Sequence, residues 1–229
     1  MDRQSNKEIS GIYTKTVNLS HIDTFLFDLD GTLVDSSDDI YMAVAHTLKE
    51  LGFEPLPKEE VIKHVGYGAR KLLEGVLNTK DEKLLDKAVE IFRDYYFKNP
   101  VVYSKTYDGV ENLLKTLKEK NKKIAVVTNK YEDISWEVVN GVGIGEYIDF
   151  LVGGDTTSKK KPSPVPVLYA LERLGSKEAV IIGDSETDIN AGKKAGIETC
   201  LVMYGFGKKD LALASNPDYI IESIKQITI

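Results

Sequence analysis

Acidic side chains crowd one short stretch of this chain, FLFDLDGTLVDSSDDI, Phe25 to Ile40. An apolar run of strand character ends there in Asp28 and Asp30, with a Gly31-Thr32 turn directly after them. Alternate residues of a strand share a face, so the two carboxylates stand side by side. Their repulsion costs free energy unless a cation or a bound proton offsets it. Other reactive types follow downstream: Thr128-Asn129-Lys130 after IAVV, Lys161 before Pro162, and Asp184 with Asp188 in GDSETD. Hydroxyl, ammonium and paired carboxylates together suit the handling of an anion with the help of a hard cation.

Such groups act together only if the fold brings them to one place. Six short apolar runs rich in β-branched residues alternate with helical patterns, at residues 24–28, 123–129, 150–154, 179–184, 199–204 and 218–221. Runs such as IAVVT and AVIIG are apolar at nearly every position, as strands covered on both faces of a parallel sheet are. Val110, Leu113, Leu114 and Leu117, and later Val167, Leu168, Leu171 and Leu174, recur at helical spacing. The expected fold class is α/β, with a doubly wound parallel-sheet, Rossmann-like core. Ligands of such sheets collect beyond the carboxyl ends of the strands, where the groups named above fall.

The long interval between residues 28 and 123 breaks this alternation. Ser36 or Ser37 can cap a helix carrying Ile40, Val44, Leu48 and Leu51, with Gly52 after it. Leu56-Pro57 opens a second, Gly68 precedes a third over residues 69–77, and Asp81 starts a long fourth. A small helical bundle, residues 36–102, is therefore expected as an insert after the first strand. It interrupts a core of residues 22–35 and 103–229, preceded by an N-terminal extension of residues 1–21.

Asp28, Asp30 and Asp184 are hard oxygen donors, and Mg²⁺ takes one or two carboxylates together with water and substrate phosphate. A phosphate monoester beside them brings two negative charges, which Mg²⁺, Lys161 and the backbone N–H groups at Leu29–Gly31 can neutralise. Asp28 is then placed to attack phosphorus and form an aspartyl-phosphate. Asp30 is placed to protonate the departing alkoxide and afterwards to activate the hydrolytic water. Gly31 lets the chain turn away at once. Thr128, with Asn129 beside it, and Lys161 are candidate binders of the phosphoryl oxygens.

DLDGTLVDS, VVTNK, KKKPSP and GDSETD, in this order and with an early helical insert, resemble the four motifs of the haloacid dehalogenase-like hydrolase superfamily. The resemblance runs from about residue 22 to the end of the chain. It implies Asp28 as nucleophile, Asp30 as general acid/base and as a metal ligand through its backbone carbonyl, Thr128 and Lys161 as phosphate binders, and Asp184 as metal ligand. Asp188 matches the second acid of the last motif, which orients the lysine or a metal-bound water. The helical insert looks like the superfamily's cap. Within the superfamily, VGYGARKLL, NPVVY and VGGDTTSKKKPSPVP are most similar to the bacterial phosphoglycolate phosphatases, which implies 2-phosphoglycolate as substrate. A phosphoglucomutase-like transferase, a pyrophosphatase, a nucleotidase and a non-catalytic phospho-ligand sensor share enough of these motifs to stay as alternatives.

The remaining features narrow the field. A net charge of -6 leaves no broad basic surface for a nucleic acid. No apolar run approaches the length of a bilayer span, and the charged first residues lack the apolar core of a secretion signal, so a cytoplasmic protein without membrane partners is expected. The single cysteine, Cys200, makes no internal disulfide, and His21, His46 and His64 lack metal-ligand spacing. Gly66-Tyr67-Gly68 lacks the third glycine of a dinucleotide loop, because position 71 is lysine. Arg70 or Lys71, in the same part of the insert, is a candidate partner for a carboxylate on the leaving group. Monomer and homodimer are both compatible with the sequence.

Overall fold

The computed structural model describes residues 16–176 and 178–229. The chain enters through β1 (Val17–Asn18) and reaches the central sheet with β2 (Thr24–Phe27). A short strand, β3 (Val34–Asp35), leads into four helices, α1 (Ser37–Glu50), α2 (Lys58–Ile62), α3 (Ala69–Leu77) and α4 (Glu82–Lys98). The chain returns through β4 (Lys105–Thr106), antiparallel to β3. Helices and strands then alternate: α5 (Val110–Glu119), β5 (Lys123–Val127), α6 (Glu132–Gly141), β6 (Phe150–Val152), α7 (Val165–Leu174) and β7 (Ala179–Gly183). The last part holds α8 (Glu186–Ala195), β8 (Glu198–Val202), α9 (Lys209–Ala214), β9 (Tyr219–Ile221) and β10 (Ile227–Thr228).

Six of the strands form one parallel sheet in the order β6-β5-β2-β7-β8-β9. The first of them, β2, lies between β5 on one side and β7 on the other, so the winding reverses at β2 and a crevice opens at the carboxyl ends of β2 and β7. This is the α/β, doubly wound, Rossmann-like core expected from the sequence.

The nearly continuous apolar runs are two interleaved faces. Phe25, Phe27, Ile124, Val126, Val180 and Ile182 face one buried cluster, which continues into the four helices after β3. Leu26, Ala125, Val127 and Ile181 face a second cluster under α7. Period-two alternation with both faces covered explains why no polar residue interrupts these strands.

Helix ends follow the chemistry of their termini. The Asp81 carboxylate accepts from the N–H groups of Lys83 and Leu84 at 3.0 and 3.3 Å and starts α4. Ser185 and Asp188 form a reciprocal capping box at the start of α8. Both arms of the insert are tied together at its base. Asp39, buried in the first turn of α1, accepts from the backbone N–H groups of Val102, Tyr103 and Ser104 at 2.8–3.1 Å and from the Ser104 hydroxyl at 2.5 Å.

Residues 1–15 of the expected N-terminal extension lie outside the described residues. The described remainder belongs to the core. Val17 and Asn18 pair in parallel with Ile227 and Thr228, and Leu19 and Ile22 are buried in the main cluster.

Candidate active site

The carboxyl ends of β2 and β7 carry Asp28 and Asp184, and the first turn of α8 adds Asp188. Carboxylate oxygens of these three buried residues lie within 4.8 Å of one another. The Lys161 ammonium reaches into them, 3.0 Å from Asp28 and 2.5 Å from Asp188, with no exposed side-chain surface. Three carboxylates against one ammonium leave a surplus of two negative charges in a buried place. A hard divalent cation fits that surplus in charge and in donor type.

The electrostatics show the same imbalance. Burial raises Asp28 to about 6, Lys161 partly opposes the rise, and Asp188 adds to it. Asp184 is held well above the usual carboxylate range by burial and then by Asp188 and Asp28, although the N–H groups of Gly207 and Phe206 act in the opposite direction. Burial works against the charge on Lys161, but Asp188 and Asp28 outweigh it and raise its pKa.

Asp30 faces elsewhere. Its two oxygens accept from the Lys130 ammonium at 2.8 and 2.9 Å, and one of them also accepts from the Ser36 hydroxyl at 2.5 Å. Lys130 donates in addition to the Tyr96 hydroxyl at 2.8 Å, and its nitrogen lies 4.2 Å from the centre of the Tyr96 ring. Burial opposes the ammonium here too, but Asp30 and Tyr96 more than offset it and raise its pKa. Burial pushes the Tyr96 hydroxyl up to about 12. β2 ends at Phe27, so the two acids follow the strand and do not share a face of it as the sequence led one to expect, and their partners differ: Asp28 belongs to Lys161, Asp30 to Lys130.

Gly31 allows this separation. It turns with φ +82, and a Cβ at this position would stand 2.3 Å from an Asp184 oxygen. Its N–H donates to the Val34 carbonyl at 2.9 Å, so its contribution is a close backbone approach and not a donor aimed at a ligand.

The loop between α2 and α3 closes over these groups. Asn129 donates from its amide to the Gly66 carbonyl at 2.8 Å and to the Lys161 carbonyl at 3.0 Å, and accepts from the Lys161 N–H at 3.0 Å. Tyr67 donates to Glu186 at the start of α8 at 2.7 Å. Beneath the loop lies a cavity of about 50 Å³ lined by Asp28, Asp30, Thr128 and Lys130, with Leu72, Phe92 and Ile134 among its apolar walls. At about 10–15 Å³ per water-sized group, it takes a leaving group of a few heavy atoms.

The family model described as haloacid dehalogenase-like hydrolase matches residues 25–202. The chain belongs to this family of hydrolases. It is 46% identical over 198 residues to the phosphoglycolate phosphatase of Aquifex aeolicus, with 86% of this chain and 90% of that protein covered. It is 37% identical over 219 residues to the phosphoglycolate phosphatase of Neisseria meningitidis, with 91% and 93% covered. A crystal structure of a predicted phosphoglycolate phosphatase from Haemophilus somnus superposes with a TM-score of 0.83 at 27% identity, covering 90% of this chain and 96% of that one. With such relatives the chain is an enzyme, a phosphoric monoester hydrolase.

Of the residues this hydrolase's sequence singled out, Asp28, Lys161, Asp184 and Asp188 meet in one cluster, and Asp30, Thr128 and Asn129 line the adjoining cavity. The Asn129 side chain is occupied with Gly66 and Lys161. Arg70 is not brought to the cavity: its guanidinium is partly exposed and pairs with Glu82 and with Asp86 at 2.6 Å, both on α4. Ala69 and Leu72 are the cavity-lining residues of α3, and Arg70 leaves the helix on another side. Sequence reasoning listed Lys130 among the groups at the strand ends without giving it a role, and it read Tyr96 as a packing residue. The available signal was a lysine directly after TN at the end of a buried strand.

Proposed function

We propose that this hydrolase cleaves a small phosphate monoester, 2-phosphoglycolate, into glycolate and phosphate through an aspartyl-phosphate on Asp28. The observation that carries the reading is the buried cluster of Asp28, Asp184 and Asp188 around Lys161, beside a cavity lined by Asp30, Thr128 and Lys130. The names of the relatives support the choice of substrate.

In this reading Asp28, Asp184 and the backbone carbonyl of Asp30 would hold Mg²⁺. When bound, Mg²⁺ supplies positive charge that offsets the carboxylates and the phosphoryl group. A carboxylate oxygen of Asp28 forms the new bond to phosphorus as the bond to the ester oxygen breaks. Asp30 gives the departing oxygen its proton, leaving glycolate. Water then attacks the phosphorus of the acyl phosphate, Asp30 takes up the water's proton, and phosphate leaves with Asp28 restored. The Thr128 hydroxyl and the Lys161 ammonium hold phosphoryl oxygens, and Asp188 keeps Lys161 in position. Residues 36–102 act as the cap, with the loop at Gly66 and Tyr67 excluding water.

The test is phosphate release from a panel of 2-phosphoglycolate, a sugar phosphate, a nucleoside monophosphate, pyrophosphate and phosphoserine, with Mg²⁺ or EDTA and with Asp28→Asn as control. A preference for 2-phosphoglycolate that EDTA and the substitution both abolish is the expected result. A preference for pyrophosphate or a nucleotide would overturn the assignment of substrate.

A further inference from the structure

One cation of the cavity touches the general acid/base but no reacting atom in the proposed phosphoryl transfer. Among the described residues lining the cavity, the charged side chains are Asp28, Asp30 and Lys130. Lys161 lies beneath, held by Asp28 and Asp188. Lys63 and Lys71 line a neighbouring cleft, and Arg70 is neutralised by Glu82 and Asp86. The walls beside Lys130 are apolar, formed by Val65, Ala69, Leu72, Phe92 and Ile134. Lys160 lies behind Gly68 and Tyr131 and does not itself line the cavity, so a leaving group with an anionic end meets Lys130 as the cation among the described lining residues.

Its placement suits that task. The Lys130 ammonium lies within 3 Å of both oxygens of Asp30, the residue that faces the ester oxygen in the proposed reaction. In a two-carbon hydroxy acid the carboxylate oxygens lie roughly 2.5–3.5 Å from the oxygen that was esterified, so an ester oxygen beside Asp30 and a carboxylate beside Lys130 can belong to one small leaving group. Tyr96 fixes the ammonium from behind through its hydroxyl and its ring, which keeps a flexible side chain preorganised.

We infer that Lys130 is the specificity-determining residue of this site, its ammonium binding the carboxylate of the leaving group. The inference rests on the proposed hydrolysis of a small phosphate monoester and names the group that selects among such esters. In the complex, one N–H donor of Lys130 passes from Asp30 to the substrate carboxylate, while Tyr96 holds another. A neutral leaving group of the same size fills the cavity without that bond. Among the described residues, the Lys130 ammonium then keeps Asp30 and Tyr96 as its partners.

The experiment compares 2-phosphoglycolate with ethyl phosphate, a neutral-tailed ester of similar size, in the wild-type enzyme and in Lys130→Met. Lys130 also touches Asp30, so the substitution slows both substrates, and the informative quantity is the ratio of the two kcat/KM values. That ratio is expected to fall by about 100-fold in Lys130→Met, mostly through KM for 2-phosphoglycolate. An equal loss for both esters would overturn the inference and leave Lys130 as a positioning residue for Asp30. If the wild-type enzyme itself fails to prefer 2-phosphoglycolate, the underlying choice of substrate falls instead.

A binding measurement covers the case in which Lys130→Met folds poorly. Asp30→Asn, expected to be inactive, is titrated with both esters by calorimetry in the presence of Mg²⁺. At least about 10-fold tighter binding of 2-phosphoglycolate is expected, and the same affinity for both would overturn the inference.

Discussion

Asn129 clasps the backbone of Lys161 from both sides, accepting from its N–H and donating to its carbonyl at 3.0 Å each, while its remaining amide hydrogen holds the Gly66 carbonyl. One side chain thus sets the buried lysine and the loop that covers it. Asn129→Ala removes all three bonds and leaves Lys161 backbone groups without partners in a buried place. We expect a loss of about 1–3 kcal/mol in unfolding free energy and a fall of at least about 10-fold in kcat/KM. Urea unfolding and steady-state kinetics on the same preparation check both.

The surplus of negative charge predicts how the protein responds to metal. At pH 7.5, adding Mg²⁺ to chelator-treated protein is expected to raise the melting temperature, by an amount that grows with the logarithm of its concentration. Asp184→Asn is expected to flatten this response. A response to Mg²⁺ that Asp184→Asn leaves intact would place the cation elsewhere.

Asp28 makes the folded state sensitive to pH. Its carboxyl rises from 3.8 to about 6 on folding, so between these values the native protein keeps a proton that the unfolded chain has released. The stability this contributes is complete below pH 3.8 and is lost as pH rises through about 6. In chelator, Asp28→Asn is therefore expected to be more stable than the wild type at pH 7.5, by about 1–3 kcal/mol, and to lose that advantage near pH 4. Denaturant unfolding at the two pH values measures the difference.

The base of the helical insert offers a prediction away from the chemistry. Asp39→Ala deprives three backbone N–H groups and the Ser104 hydroxyl of their acceptor. A loss of about 2–4 kcal/mol is expected, with faster hydrogen exchange at residues 102–104. Asp39→Asn keeps an acceptor oxygen and should recover part of the loss.

The longer sheet strands β2, β5, β7 and β8 were legible as apolar β-branched runs and α1, α3 and α4 by their helical spacing, the short α2 was marked by Pro57, and the caps at Gly68 and Asp81 stand where the sequence places them. The two-residue strands β1, β3, β4 and β10 were not, since two residues carry no period and form only when a distant partner arrives. The same reason hid part of the site. Lys130 gains its role from Tyr96, which lies in the insert, and Asp39 from a segment 63 to 65 residues further along. Arg70 shows the converse: at the right place in the chain, it leaves α3 on the side where Glu82 and Asp86 wait.

The central claim, that Asp28 carries the phosphoryl group during turnover, is tested most directly by acid quench of the enzyme mixed with Mg²⁺ and 2-phosphoglycolate labelled at phosphorus. Protein-bound label on the peptide containing Asp28, formed and lost at rates compatible with turnover and missing in Asp28→Asn, is the predicted result. Turnover that proceeds with no protein-bound phosphate, and that survives Asp28→Asn, would contradict the account.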